Sequence, residues 1–274
     1  MKQRIVSAVA LVALLLMTVA CSGIPLVLNA VMAIIAGTGL YEILKVCGVS
    51  FHKMVTAGMV LFAAGFVFFS DPLFPKYRTI LTLATFVLIL AVFTYYLRGY
   101  KAVPINMMVF SLMITVMIAY FFSAVVLTRK ESDPGLWNMI LIFILSWIPD
   151  TGAYFCGSLF GKHKLCPVIS PKKTVEGAVG GIIACGIVSY LYAFLVGHFA
   201  GYQVNWWIIA LYAGLGTAVS MLGDLTASLI KRTNNVKDYG SFIPGHGGIM
   251  DRFDSVWFVA PFVWLMLDLC PIFS

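Results

Sequence analysis

Apolar residues are gathered along this chain into long runs, parted by short clusters of charge, proline and glycine. The runs fall at roughly 5–22, 25–44, 54–70, 79–97, 104–127, 137–160, 175–199, 205–230 and 253–270. A helix of ~20 apolar residues crosses the ~30 Å hydrocarbon core of a bilayer, and each run reaches or approaches that length. The first and third sit near the lower limit. Lipid cannot satisfy an open backbone amide, so only helices or closed barrels can span it. The alternating ~10-residue segments of a barrel are not seen. The pattern therefore predicts an all-α, polytopic integral membrane bundle of about nine transmembrane helices. With no internal repeat and no low-complexity linker, it reads as one continuous membrane domain. Residues 1–130 are expected to be scaffold helices, and 131–274 the helices and loops that carry chemistry.

Composition strengthens this picture. Of 274 residues, 61% are apolar and 11% charged, whereas a soluble domain carries about a quarter charged residues to present a wetted surface. The six cysteines are scattered without a CxxC pair, which fits small apolar packing residues and argues against a thiolate metal site. A net charge of +7 would suit a nucleic-acid binder only if a solvated basic domain carried it, and none is present. The placement of the basic residues is more informative. With the N-terminus cytoplasmic, 14 of the 18 Lys and Arg fall on that side and 4 on the other, as the positive-inside bias requires. This orientation puts the two longest polar loops, 161–174 and 231–252, on the cytoplasmic face of a bacterial-type plasma (inner) membrane. Lys2 and Arg4 precede an apolar run ending at Ala20-Cys21-Ser22, which resembles a lipoprotein signal. Thr18 stands where leucine is usual, and further spans follow at once, so an uncleaved first helix is expected.

Ionisable groups are rare in the first five runs. Glu42 is the main exception, near a helix end from which it can reach the interface. This half is assigned to scaffold, lipid contact or dimer contact, with a homodimer as a candidate assembly. The second half differs. Asp150 and Asp224 each interrupt an apolar run, and a carboxylate at membrane depth costs about 2.5–3.5 kcal/mol unless it meets a cavity, a cation or a partner. Alone, either Asp reads equally as a structural hydrogen bond between helices. Thr217, Asp224, Ser228 and Lys231 share one helical stripe, which cannot face lipid and predicts a wet, charged cleft. Pro149 and Gly152 around Asp150 predict a broken helix beside that cavity.

In the 161–174 loop, Lys172 and Lys173 lead into a helix that Ser170 or Thr174 could cap. The pair suits an anion at the helix start, or simply marks the cytoplasmic side. Gly177 and Gly181, four apart, read as close helix packing. The densest stretch is 228–254, SLIKRTNNVKDYGSFIPGHGGIMDRFD. Lys231, Arg232, Lys237 and Arg252 are cationic donors, and Gly245, Gly247 and Gly248 around His246 let backbone amides approach a ligand. With Asp238, Asp251 and Asp254 close by, the set suits a metal-bound polyphosphate, Asp holding Mg²⁺ while Lys, Arg and amides hold phosphate oxygens. A solvated loop laced with salt bridges is the plainer alternative. There is no Walker GxxxxGK[ST], and one histidine without neighbouring Cys or His is too little for zinc.

Residues 228–254 resemble the signature of the phosphatidate cytidylyltransferase (CDP-diacylglycerol synthase) family. The matching positions are Ser228, Lys231-Arg232, Lys237-Asp238, Gly240, Pro244-Gly245-His246-Gly247-Gly248, Asp251-Arg252 and Asp254. Asp150-Thr151-Gly152-Ala153-Tyr154, Phe160-Gly161-Lys162-His163 and Ser170-Pro171-Lys172-Lys173-Thr174-x-Glu176-Gly177 are similar to the same family. The resemblance implies CMP transfer from CTP to phosphatidic acid at the bilayer surface, with Mg²⁺ required and K⁺ a candidate second cation. It implies Asp224 and Asp251 as the main metal ligands, with Asp150 and Asp254 in support. Lys172, Lys173, Lys231, Arg232 and Arg252 would hold phosphates, together with Ser228, Lys237 and the Gly245–Gly248 turn. His246 would bind phosphate or orient a carboxylate rather than act as a base. Rival readings are a CTP-dependent polyprenol kinase, an ion-coupled transporter and an intramembrane aspartyl protease using Asp150 and Asp224. The last fits poorly, because Met221-Leu222 stands where Gly-x would precede Gly223-Asp224.

Overall fold

A computed structural model describes residues 17–24, 26–49, 53–98, 104–242 and 247–273. Eight α-helices lie among them: α1 (Val27–Val46), α2 (Lys53–Phe68), α3 (Tyr77–Arg98), α4 (Ile105–Glu131), α5 (Gly135–Phe160), α6 (Val175–Ala200), α7 (Trp206–Thr233) and α8 (Val256–Leu269). Six of these, all but α2 and α8, are long and apolar enough to cross a membrane. The protein is an all-α membrane bundle. The expected first helix lies mainly outside the described residues, which pick it up at helical positions 17–20 and a 3₁₀ turn, Cys21–Gly23. The run expected at 253–270 yields only the 14 residues of α8, about 21 Å of helix at 1.5 Å per residue. Its first three positions are spent on a turn that presents Ser255 to the site.

The chain forms two compact units. One holds the described residues of 1–130 together with 234–252, and the other holds 131–233 with 253–274. In the first unit α1 packs on α2, where Gly37 brings the helix against Ala64 and Val60. Here α4 buries Ile114, Ile118, Ala119, Phe122, Val125 and Val126 almost completely. By contrast, α3 buries only Leu81, Leu88 and Val92, a single stripe on an otherwise exposed apolar helix.

The second unit is built on the α5–α6 pair, its most extensive packing. A Cβ at Gly180 would fall on Cys156, and one at Gly181 would lie 2.8 Å from the Pro149 carbonyl. Gly177 likewise approaches the Ala153 carbonyl, so Gly177 and Gly181 do serve close packing. The same seam corrects one expectation: α5 is continuous through Pro149 rather than broken. An interior proline costs about 3 kcal/mol. Here neighbouring helices hold the segment, with Ser220 Oγ of α7 donating to the Ser146 carbonyl at 3.0 Å and α6 lying flush against the proline turn. Gly152 is part of this seam, since a Cβ there would lie 2.5 Å from that of Ala184.

The polar 161–174 stretch is not an irregular loop. It folds into a two-stranded antiparallel hairpin, β1 (Lys164–Cys166) and β2 (Ser170–Thr174), with Lys164 opposite Thr174 and Cys166 opposite Ser170. In a two-stranded ladder every strand is an edge, so Pro171 is tolerated in β2. Thr174 caps α6, accepting the Gly177 N–H at 3.1 Å, while Ser170 stays in the strand. Glu176 fastens the other side: it accepts the Lys162 N–H at 3.1 Å and the His163 N–H at 3.2 Å, and it pairs with His163 Nδ1 at 2.6 Å. Thr174→Ala should destabilise the α6 start by about 1 kcal/mol. Loss of hydrogen-exchange protection at residues 175–178, with α7 unchanged, would show it.

Candidate functional site

Within the second unit four elements converge on one polar cluster. Asp150 comes from α5, Asp224 and Ser228 from α7, Lys173 from β2, and Ser255 from the turn before α8. Asp224 Oδ2 forms an ion pair with the Lys173 ammonium, the two side chains being 19% and 21% exposed. Ser228 Oγ donates to Asp224 Oδ1 at 3.3 Å, one helical turn on. Ser255 Oγ donates to Asp150 Oδ2 at 3.0 Å, and Asp150 lies in the electrostatic field of both Asp224 and Lys173. Two carboxylates from separate spans and one ammonium thus form a part-buried polar cluster in this unit. Asp254 brings its own carbonyl against Gly223, where a Cβ would lie 2.8 Å from it. That contact brings α8 close to the Asp224 turn.

Of the expected stripe on α7, Ser228 joins Asp224, but Thr217 does not. Thr217 is fully buried and donates to the Ala213 carbonyl of its own helix at 2.7 Å. Lys231 is buried, and Arg232 Nε reaches the Ile169 carbonyl in the hairpin turn at 3.4 Å. The hairpin is therefore secured at both ends, by Lys173 to Asp224 and near its turn by Arg232. Lys172, its neighbour on β2, is exposed.

The first unit holds the rest of the signature. Gly245 and His246 lie outside the described residues. Gly247 sits at φ +83°, a conformation that glycine adopts without strain. Asp251 is buried, and its Oδ2 accepts the Tyr239 N–H at 2.8 Å and the Gly248 N–H at 3.0 Å. The Gly248 amide, expected at a ligand, is thus given to the loop's own carboxylate. Lys237 and Asp238 are exposed. Arg252 buries its Nε, which has no hydrogen-bond partner among the described residues. A buried guanidinium donor left open fits an anion.

Sequence reasoning missed one member. Glu42 is not open to solvent; it is 7% exposed and accepts the Ile249 N–H at 3.1 Å and the Met250 N–H at 2.9 Å. Its signal was a carboxylate set among apolar residues in a half otherwise almost free of them.

Among the described residues no three of the Asp, Glu, His and Cys side chains converge as a ready metal cage. Carboxylates such as Asp224 and Asp150 are the donor type a hard divalent cation such as Mg²⁺ takes, one or two at a time, while waters and substrate phosphates complete its shell. An internal cation, the Lys173 ammonium, already sits against Asp224.

Relatives share about half of this chain. The phosphatidate cytidylyltransferase of Staphylococcus haemolyticus (strain JCSC1435) is 44% identical over 148 residues, 54% of this chain and 53% of that protein. Those of Staphylococcus saprophyticus (strain ATCC 15305) and Staphylococcus aureus (strain COL) are each 45% identical over 140 residues, 51% of either length. The chain spans about half the length of the curated relatives it matches. The sequence pattern of the cytidylyltransferase family, by contrast, matches residues 2–270, and the protein belongs to that family.

Proposed function

We propose that this protein transfers CMP from CTP to phosphatidic acid, giving CDP-diacylglycerol and pyrophosphate, at the cytoplasmic face of a bacterial plasma membrane. The observation that carries the reading is the Asp150–Asp224–Lys173 cluster, ionisable groups drawn from three elements into a bundle that has little reason to hold them. Family membership and the names of the relatives agree with it. In the reaction a phosphate oxygen of phosphatidic acid forms a bond to the α-phosphorus of CTP. The bond from that phosphorus to the bridging oxygen breaks, and pyrophosphate leaves with the electron pair. The attacking phosphate is already anionic near neutral pH, so no strong base is required. Bringing two anions together and steadying the leaving group is the main task.

Mg²⁺ would supply charge neutralisation for the phosphates, with Asp224 and Asp251, supported by Asp150 and Asp254, as its candidate ligands, and K⁺ is a candidate for a second site. Lys172, Lys173, Lys231, Arg232 and Arg252 would hold phosphate oxygens. The acyl chains of the lipid would stay in the bilayer, into which the exposed apolar faces of α3 and α6 fit. Incubating the purified chain with labelled CTP, phosphatidic acid and Mg²⁺ tests the proposal: labelled CDP-diacylglycerol and free pyrophosphate support it. Release of CDP with phosphorylated lipid would make the protein a kinase, and no CTP turnover would refute both.

Lys173→Met bears on the same cluster. It removes both a phosphate donor and the internal cation of Asp224. Turnover should fall about 10²-fold, the scale of losing one well-placed electrostatic contact. Mn²⁺ binding followed by electron paramagnetic resonance should tighten, because no ammonium has to leave. Near-normal turnover would remove Lys173 from the site.

A further inference from the structure

None of the phosphate chemistry above uses Glu42, yet the loop that carries Asp251 is built around it. The side chain leaves α1 one turn before the helix ends and is almost wholly buried. Its two oxygens each take one backbone N–H, from Ile249 and Met250, residues 207 and 208 positions further along the chain. Two glycines of the signature face the same carboxylate. A Cβ at Gly240 would lie 2.6 Å from Glu42 Oε1, and one at Gly248 would run into Oε2. One turn earlier on α1, Gly39 leaves space for Met250, whose Sδ would lie 3.3 Å from a Cβ there. Asp251, the next residue, turns its Oδ2 back onto Tyr239 and Gly248.

We infer that Glu42 is a positioning residue for the reaction proposed above: its carboxylate fixes the backbone at 248–250 and so aims Asp251 and Arg252. The inference rests on that functional reading for its effect on turnover, but not for its effect on the loop. The geometry suits a carboxylate here, because each of its two oxygens accepts one backbone N–H. Glutamine would offer one acceptor and turn an N–H₂ donor onto a backbone N–H. Aspartate, one methylene shorter, keeps both oxygens but reaches less far.

The test uses the full chain in detergent or nanodiscs, with Glu42→Gln, Glu42→Asp, Glu42→Ala and Gly248→Ala. In Glu42→Gln, exchange of the Ile249 and Met250 amides should speed up about tenfold, as expected for loss of a hydrogen bond, while α5 and α6 stay protected. The KM for CTP should rise about tenfold with the KM for phosphatidic acid within about twofold, a split that general destabilisation would not produce. Glu42→Asp should recover part of the loss. Gly248→Ala should be severe in the native background and nearly silent in Glu42→Ala, because the clashing carboxylate is gone. Unchanged exchange at 249–250 in Glu42→Gln, or strictly additive effects of Glu42→Ala and Gly248→Ala, would overturn the inference. If the unaltered protein makes no CDP-diacylglycerol, the proposed function fails, while the exchange measurements still decide the role of Glu42.

Discussion

Asp224→Asn should abolish CTP-dependent turnover, by about 10³-fold or more, in a protein that still inserts into membranes. Asparagine keeps the shape but removes the negative charge that would hold a divalent cation, and metal-assisted charge stabilisation contributes several kcal/mol to such a transition state. The substitution has a second consequence. Lys173 loses its counter-charge where it is only 21% exposed. Breaking a fully buried ion pair costs about 3–5 kcal/mol, and the partial exposure here places the cost at or below the lower end. Adding Lys173→Met should therefore restore thermal stability without restoring turnover. A melting curve in detergent and a labelled-CTP assay separate the two effects. Near-normal turnover in Asp224→Asn would remove that carboxylate from the chemistry.

The largest effect on folding is expected at Gly180. Its Cβ would coincide with the side chain of Cys156 across the α5–α6 seam. Extra methylenes in a filled core cost about 1–3 kcal/mol, and more where, as here, the clash includes a Cβ that no rotamer change can move aside. Gly180→Val should leave little folded protein, judged by monodispersity in detergent. Gly180→Ala combined with Cys156→Gly should be close to normal, because the second change vacates the space the first one fills. Equal stability of Gly180→Val and the native protein would mean that the seam is looser than the structure shows.

The helices were readable because lipid imposes one length and one kind of periodicity on every span. Asp150 and Asp224 were readable for the related reason that a carboxylate in an apolar run demands a partner. Their partner was less visible. Lys172 and Lys173 look alike in sequence, and only the hairpin decides that Lys173 turns to Asp224 while Lys172 stays exposed. The hairpin itself was hidden by Pro171 and by a charge-rich composition that disfavours strands. Pro149 pointed to a break that tertiary packing prevents. Glu42 was noticed but misplaced. Near a helix end a carboxylate ordinarily reaches water, and the amides that hold it inward come from the opposite end of the sequence.

The α5–α6 seam also implies an order of assembly. These two helices follow one another along the chain with only the 14 residues of 161–174 between them, so the entropic cost of bringing them together is small. During synthesis they can zip along their glycines as soon as both have left the ribosome. Thr174 and Glu176 would close the hairpin at that stage, before α7 has emerged from the ribosome. The nascent chain would then hold an ammonium at the mouth of the seam, and Asp224 would dock last, drawn to a positive charge already in place.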